Sequence, residues 1–268
     1  MLSARELFTE MVDDDDAYRL FCSIAASGEA QGGWENGRIA ALVPPGLRAL
    51  APKIARHGAD EDKHGRIFNA LLHKRGLDPV EVPHDTDYTM LLERAGIGLA
   101  HTRLRQDEPL TERDIVTYLA HSRVTEQRAS EQMRLLVKHF ADHPEIGKAV
   151  RQISHDEDNH LAYCHEELLR LARAGHGRTI QRILRECALA EIRVHRDVSL
   201  AVMGRMGRIL GWSAARAAVL QGGIHAVYLY ERAHGWRRMV TLAMPQRRNA
   251  LGGGPAEGGA EALAPAGA

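Results

Sequence analysis

The order Asp-Glu-Asp-x-His occurs twice in this chain, as Asp60-Glu61-Asp62-Lys63-His64 and as Asp156-Glu157-Asp158-Asn159-His160. On a helix, Glu and His three positions apart stand on one face about a turn apart, so both can reach one ion. A single Glu-x-x-His on a charged helix usually marks only a solvated face. Two copies, each about thirty residues after a glutamate in the preceding helical stretch, constrain the chain far more. Ionisable groups on a core-facing stripe are costly to bury unless they are paired or bind metal. The fourth helical stretch carries such a stripe: Val150, Ile153, Glu157, His160, Cys164 and Leu168 share a face. The third does likewise, with Glu126 among Ile115, Leu119, Ala129, Met133 and Val137.

The rest of the sequence supports an all-α fold. Aromatic residues are scarce at 5%, while Ala, Leu, Arg and Glu abound, a diet that favours helices over sheets. A first helix is expected to start at Asp13–Asp16 and run to the break at Val43-Pro44-Pro45-Gly46. A second runs from Leu47 or Pro52 to Gly76, and a long connection follows in which 87–105 is expected to be helical. Thr111 to Asp114 reads as a capping-box variant opening the third helix, which ends near Pro144, and the fourth runs to Gly175. Two more helical stretches, 179–206 and 213–244, follow. These boundaries give a bundle over 1–175, C-terminal helices over 176–245 packed on it, and a Gly/Ala/Pro-rich tail over 246–268 expected to be disordered. Two helical hairpins joined by one long crossover are the ferritin-like four-helix-bundle connectivity.

Composition also narrows the partners. Lys+Arg and Asp+Glu both number 35, which gives no reason to expect a nucleic acid or an acidic membrane. Cys22, Cys164 and Cys187 form no C-x-x-C and read as reduced thiols. With no apolar signal core and no apolar run of about 18–20 residues, a soluble cytoplasmic protein is expected.

Ferritin-like di-metal sites take a Glu-x-x-His pair from each of two helices and a lone Glu from each of the other two. Glu61/His64 and Glu157/His160 are the pairs, and Glu126 is the lone carboxylate of the third helix. For the first helix Glu29 and Glu35 compete. Glu29 stands 32 residues before Glu61, close to the 31 between Glu126 and Glu157, whereas Glu35 stands 26 before it. A six-residue difference moves a group by about 9 Å along a helix axis, which favours Glu29. Against that, Glu35 shares a stripe with Ile24, Gly28, Ile39 and Leu42. Gly28, Gly32 and Gly33 weaken this helix and suggest a bulge or a close substrate approach. A carboxylate-rich set with two imidazoles suits iron or manganese better than zinc.

On these residues the chain resembles the ferritin-like di-iron carboxylate superfamily over about residues 15–175. The Glu…ExxH…Glu…ExxH order falls on Glu29, Glu61/His64, Glu126 and Glu157/His160. DEDKHGRIFNALL is locally similar to the ExxHG helix of soluble acyl-carrier-protein desaturases, as is Glu126-Gln-Arg-Ala to their third-helix segment. In the ribonucleotide reductase and bacterial monooxygenase branches, an Asp before the ExxH glutamate hydrogen-bonds a ligand His across the site. That resemblance gives Asp60 and Asp156 supporting roles, which meets the need to fix a ligand imidazole's tautomer. By the near-symmetry of the motifs, Asp60 should serve His160 and Asp156 should serve His64.

The resemblance implies two Fe, or Mn and Fe, with O2 as co-substrate and electrons from an external reductase or ferredoxin. The implied activity is an oxygenase or oxidase of hydroxylase, desaturase or N-oxygenase type, acting on a small or carrier-bound organic substrate. Its alternative is a ferroxidase or peroxide-scavenging protein for which iron itself is the substrate. Relatives with a reductase-type radical tyrosine do not fit, because position 33 is Gly. In the C-terminal part, Glu191 and His195 are expected to form a helix-surface ion pair, and the apolar residues there to cover the bundle or a homodimer interface.

Overall fold

The computed structural model describes residues 3–242 of the chain, and among them every regular element is helical. The expected tail over 246–268 lies outside the described residues. A short helix, α1 (Ala4–Asp13), precedes α2 (Asp15–Leu42), so the aspartate run joins two helices and does not open the first. Asp14 caps α2 by accepting from the Ala17 N–H. A 3₁₀ turn over Pro45–Leu50 leads into α3 (Ala51–Lys74), with Pro52 in its first turn, where no N–H is needed.

The crossover holds two short helices, α4 (Tyr88–Arg94) and α5 (His101–Leu104), where one helix was expected. Gly96 and Gly98 break it, at φ 75° and 78°, a region L side chains rarely adopt. Thr111 and Asp114 form both bonds of a capping box at the start of α6 (Glu112–Phe140). Then come α7 (Gly147–Leu171), a wide π-type turn over Ala172–His176, α8 (Gly177–Ile209), α9 (Ala214–Tyr230), a second wide turn over Glu231–Gly235, and α10 (Trp236–Val240). No helix among the described residues is long and apolar enough to cross a membrane.

α2 packs along α3, α6 packs along α7, and α3 meets α7; α8 lies against α6. Of three apolar clusters among the described residues, the two larger lie towards opposite ends of α2, α3, α6 and α7. One contains Ile39, Leu50, Ile54, Leu119 and Leu168; the other contains Tyr18, Cys22, Leu72, Met133 and Ile153. The charged motif residues lie in the layer between them.

α2 runs unbroken through its glycines, so the expected bulge is absent. The glycines serve close helix contact instead. A Cβ on Gly33 would stand 3.2 Å from the Gly58 carbonyl oxygen, and one on Gly32 would stand 2.9 Å from Glu61 Oε2. Larger residues here would push α3, and Glu61 with it, out of the layer.

Candidate metal centre

Seven side chains from α2, α3, α6 and α7 converge in this layer. Glu29, Glu61, His64 and Glu157 bring their donor atoms within 4.8 Å of one another. His57, Glu61, Glu126 and His160 do the same, and Glu61 belongs to both groups. Glu157 also reaches both, lying 3.5 Å from His64 Nδ1 and 3.8 Å from His160 Nδ1. Two groups joined by two shared carboxylates are suited to a pair of ions.

Glu29 faces His64, with Oε2 3.3 Å from Nδ1. Glu35, six residues on, lies outside the cluster. Its Oε1 is 2.6 Å from His101 Nε2, and the His101 backbone N–H donates to Glu93 at 2.9 Å.

Each motif histidine turns Nδ1 to the cluster and Nε2 to an aspartate of the opposite motif. His64 Nε2 lies 3.1 Å from Asp156, and His160 Nε2 lies 3.4 Å from Asp60. This is the crossed pairing that the motif symmetry suggests, and it leaves both Nδ1 atoms free to act as ligands. Lys63 ties the two aspartates together at 2.6 and 2.8 Å. Asp158 pairs with Ser130 and Arg134, both at 2.8 Å.

His57 was not among the expected residues. Its Nε2 lies 2.9 Å from Glu61 Oε1 and 3.1 Å from Glu126 Oε1. Its Nδ1 meets the Tyr163 hydroxyl at 2.9 Å, and Tyr163 in turn meets Tyr118 at 2.6 Å. The signal was present in the sequence: His57, Glu61 and His64 fall at i, i+4 and i+7, one stripe of one helix.

Electrostatics mark the layer as strained without a cation. Burial and then the Glu61 charge hold Glu29 well above the usual carboxylate range, and burial with Glu126 pushes Glu157 up to about 8. Burial alone would raise Glu126, but the His57 charge and the neighbouring His160 imidazole hold it well below the ordinary value. Burial would lower His64, yet Asp156 and Glu29 raise it to about 10. These carboxylates and imidazoles compensate one another by sharing protons, a role an ion can take over.

Two atoms are left over. His160 Nδ1 and Glu126 Oε2 are fully buried with no hydrogen-bond partner among the described residues. They stand 3.7 Å apart, too far for a bond to each other and close enough to share an ion. The donor set is therefore compatible with a bound metal ion.

No protein-family model, curated protein or solved structure matches this chain. The centre rests on its own geometry.

An apolar cavity of about 30 Å³ lies in the core on one side of the charged layer, one to two helical turns from it, lined by Cys22, Phe68, Met133 and Ile153 among others. Phe68 lies one turn beyond His64, Ile153 one turn before Glu157, Met133 two turns beyond Glu126, and Cys22 two turns before Glu29. Because α2 and α3 form one hairpin and α6 and α7 another, all four displacements lead towards the same end of the bundle.

Glu191 corrects an expectation. It is fully buried, and both its oxygens accept from Arg128, at 2.8 and 2.9 Å; it makes no surface pair with His195. His195 meets Gln132 at 3.0 Å. α8 turns this face inward onto α6, and the Arg128 guanidinium there supplies the countercharge.

Proposed function

We propose that α2, α3, α6 and α7 form a ferritin-like bundle around a non-haem di-iron, or manganese–iron, centre that uses O2 to oxidise an organic substrate. The observation that carries this reading is the pair of orphaned donor atoms, His160 Nδ1 and Glu126 Oε2, buried inside a ring of carboxylates and imidazoles. Such atoms are costly to bury unless something occupies the point they share.

Glu29, Glu61, His64, Glu126, Glu157 and His160 would hold the metals, with His57 beside them. When bound, two irons supply the reduction of dioxygen and the oxidising power for a C–H bond or heteroatom. The chain's own groups do the rest. Asp60 and Asp156 accept the Nε2–H of His160 and His64, which fixes the tautomer and aim of each ring. Glu61 and Glu157 span the two groups and set their separation. The apolar cores above and below exclude water from the layer.

The carbon-lined cavity favours oxidation of an organic group over iron storage, because iron in transit needs acidic side chains along its path. A volume of about 30 Å³, roughly one water's share of liquid, suits dioxygen or the end of an apolar chain. Electrons come from an external reductase or ferredoxin, and the substrate is small or carrier-bound.

Anaerobic Fe(II) titration tests the reading. About two equivalents per chain are expected from this ligand complement. Saturation at one equivalent, or none, would sink the dinuclear proposal. Iron uptake far beyond two equivalents in air, with no oxidised organic product by mass spectrometry, would favour the ferroxidase alternative.

A further inference from the structure

The two donor groups are not chemical equals. The group containing Glu29 has one imidazole, His64, with the carboxylates of Glu61 and Glu157. The other has two imidazoles, His57 and His160, with Glu61 and Glu126. The rings of His57 and His160 lie 4.0 Å apart, centroid to centroid, tilted by 33°, so they approach the same point side by side.

His57 is 3% exposed, and both its nitrogens are committed. The Tyr163 hydroxyl can accept the Nδ1–H, which leaves the Nε2 lone pair aimed between Glu61 and Glu126. Tyr118 holds that hydroxyl in turn. For His57 the tyrosine pair does what Asp156 does for His64 and Asp60 for His160: it fixes which nitrogen faces the ions.

We infer that His57 is a third imidazole ligand, and that the His57–His160 position binds a nitrogen-preferring divalent metal first and more tightly than the Glu29–His64 position. Imidazole suits zinc, copper, iron and nickel, whereas a carboxylate-rich position suits manganese. The centre therefore loads in order, and its two positions discriminate between metals. This rests on the dinuclear reading above and deepens it.

Anaerobic Co(II) titration of the full chain, followed by visible absorption and by proton NMR of the loaded protein, tests it. The expected result is two equivalents in two resolved steps. Three hyperfine-shifted exchangeable imidazole N–H signals should appear, from His57, His64 and His160. His57→Gln should remove one signal and weaken the first step by about 10–100-fold, at least the loss typical of an outer partner. Two equivalents binding with one affinity, and only two shifted N–H signals in the unaltered protein, would overturn the inference and leave the dinuclear reading standing. No cobalt binding would overturn both. Because the signal count is read on the unaltered chain, the test stands even if His57→Gln fails to fold.

Discussion

Asp60 and Asp156 touch the centre only through the histidines they hold, and Lys63 binds both of them across the gap between α3 and α7. Replacing either aspartate with Ala should lower Co(II) or Fe(II) affinity by about 10–100-fold in titration, because the ligand ring loses its aim and its basicity. Asp62→Ala should leave affinity unchanged, since that carboxylate is exposed and lies over Gly33, outside both donor groups. The metal-free protein should also carry an unusual pH signature. His64 is raised to about 10, so its stabilising contribution is complete below the ordinary imidazole range and is lost as pH climbs towards 10. Glu157 is raised to about 8 and acts in the same direction, since charging it in the folded state is unfavourable. The melting temperature of metal-free protein should therefore fall between about pH 6.5 and 10, while the metal-loaded form resists that fall. A metal-free melting temperature that rose across this window would contradict the assignment. The paired glutamates and histidines are legible from spacing, and the crossed role of the aspartates from the family resemblance together with the symmetry of the two motifs. His57 is less so, because a search for Glu-x-x-His stops at the glutamate and never looks one turn back. Glu35 shows the opposite limit: stripe membership cannot say at which level of a hairpin a residue falls, whereas counting from Glu61 can.

The C-terminal helices are fastened to the bundle by buried charge. Arg128 on α6 binds Glu191 on α8 and Glu231 in the turn before α10, and Arg238 binds Glu231 and Glu131. Arg128 is 8% exposed in its side chain, and its two partners are no more exposed than that. Removing the guanidinium leaves Glu191 buried without a countercharge and Glu231 with Arg238 alone. Arg128→Leu should thus cost about 3–5 kcal/mol in chemical denaturation, most of it in the attachment of α8 and the 231–240 segment. A loss of under about 1 kcal/mol, as for an exposed pair, would contradict the buried network. None of this was legible locally. Glu191 sits four residues from His195, a spacing that suggests a surface pair, and its true partner comes from a helix more than sixty positions earlier. The break at Gly96 and Gly98 is a milder case. Residues 87–105 were expected to form one helix, but two positive-φ glycines turn the chain so that His121 of α6 packs against Gly98.

Across the whole molecule, a charged layer lies between two apolar cores, and its members divide unevenly between the hairpins. Glu29, His57, Glu61 and His64 come from α2 and α3; Glu126, Glu157 and His160 come from α6 and α7. The order of helices was legible because each hairpin repeats one pattern, and the long crossover because proline and glycine punctuate it. The depth of the layer was not, since it depends on Gly33 and Gly58 bringing two backbones together. The division of donors also sets a timetable. A chain emerging from the ribosome presents α2 and α3 long before α7, and neither donor group is complete until Glu157 and His160 have been synthesised. Two carboxylates and two imidazoles are available early, enough for a loose hold on one ion. Closing the layer therefore waits for the second hairpin, and a nascent chain stalled in the crossover would be open to whichever divalent metal reached it first.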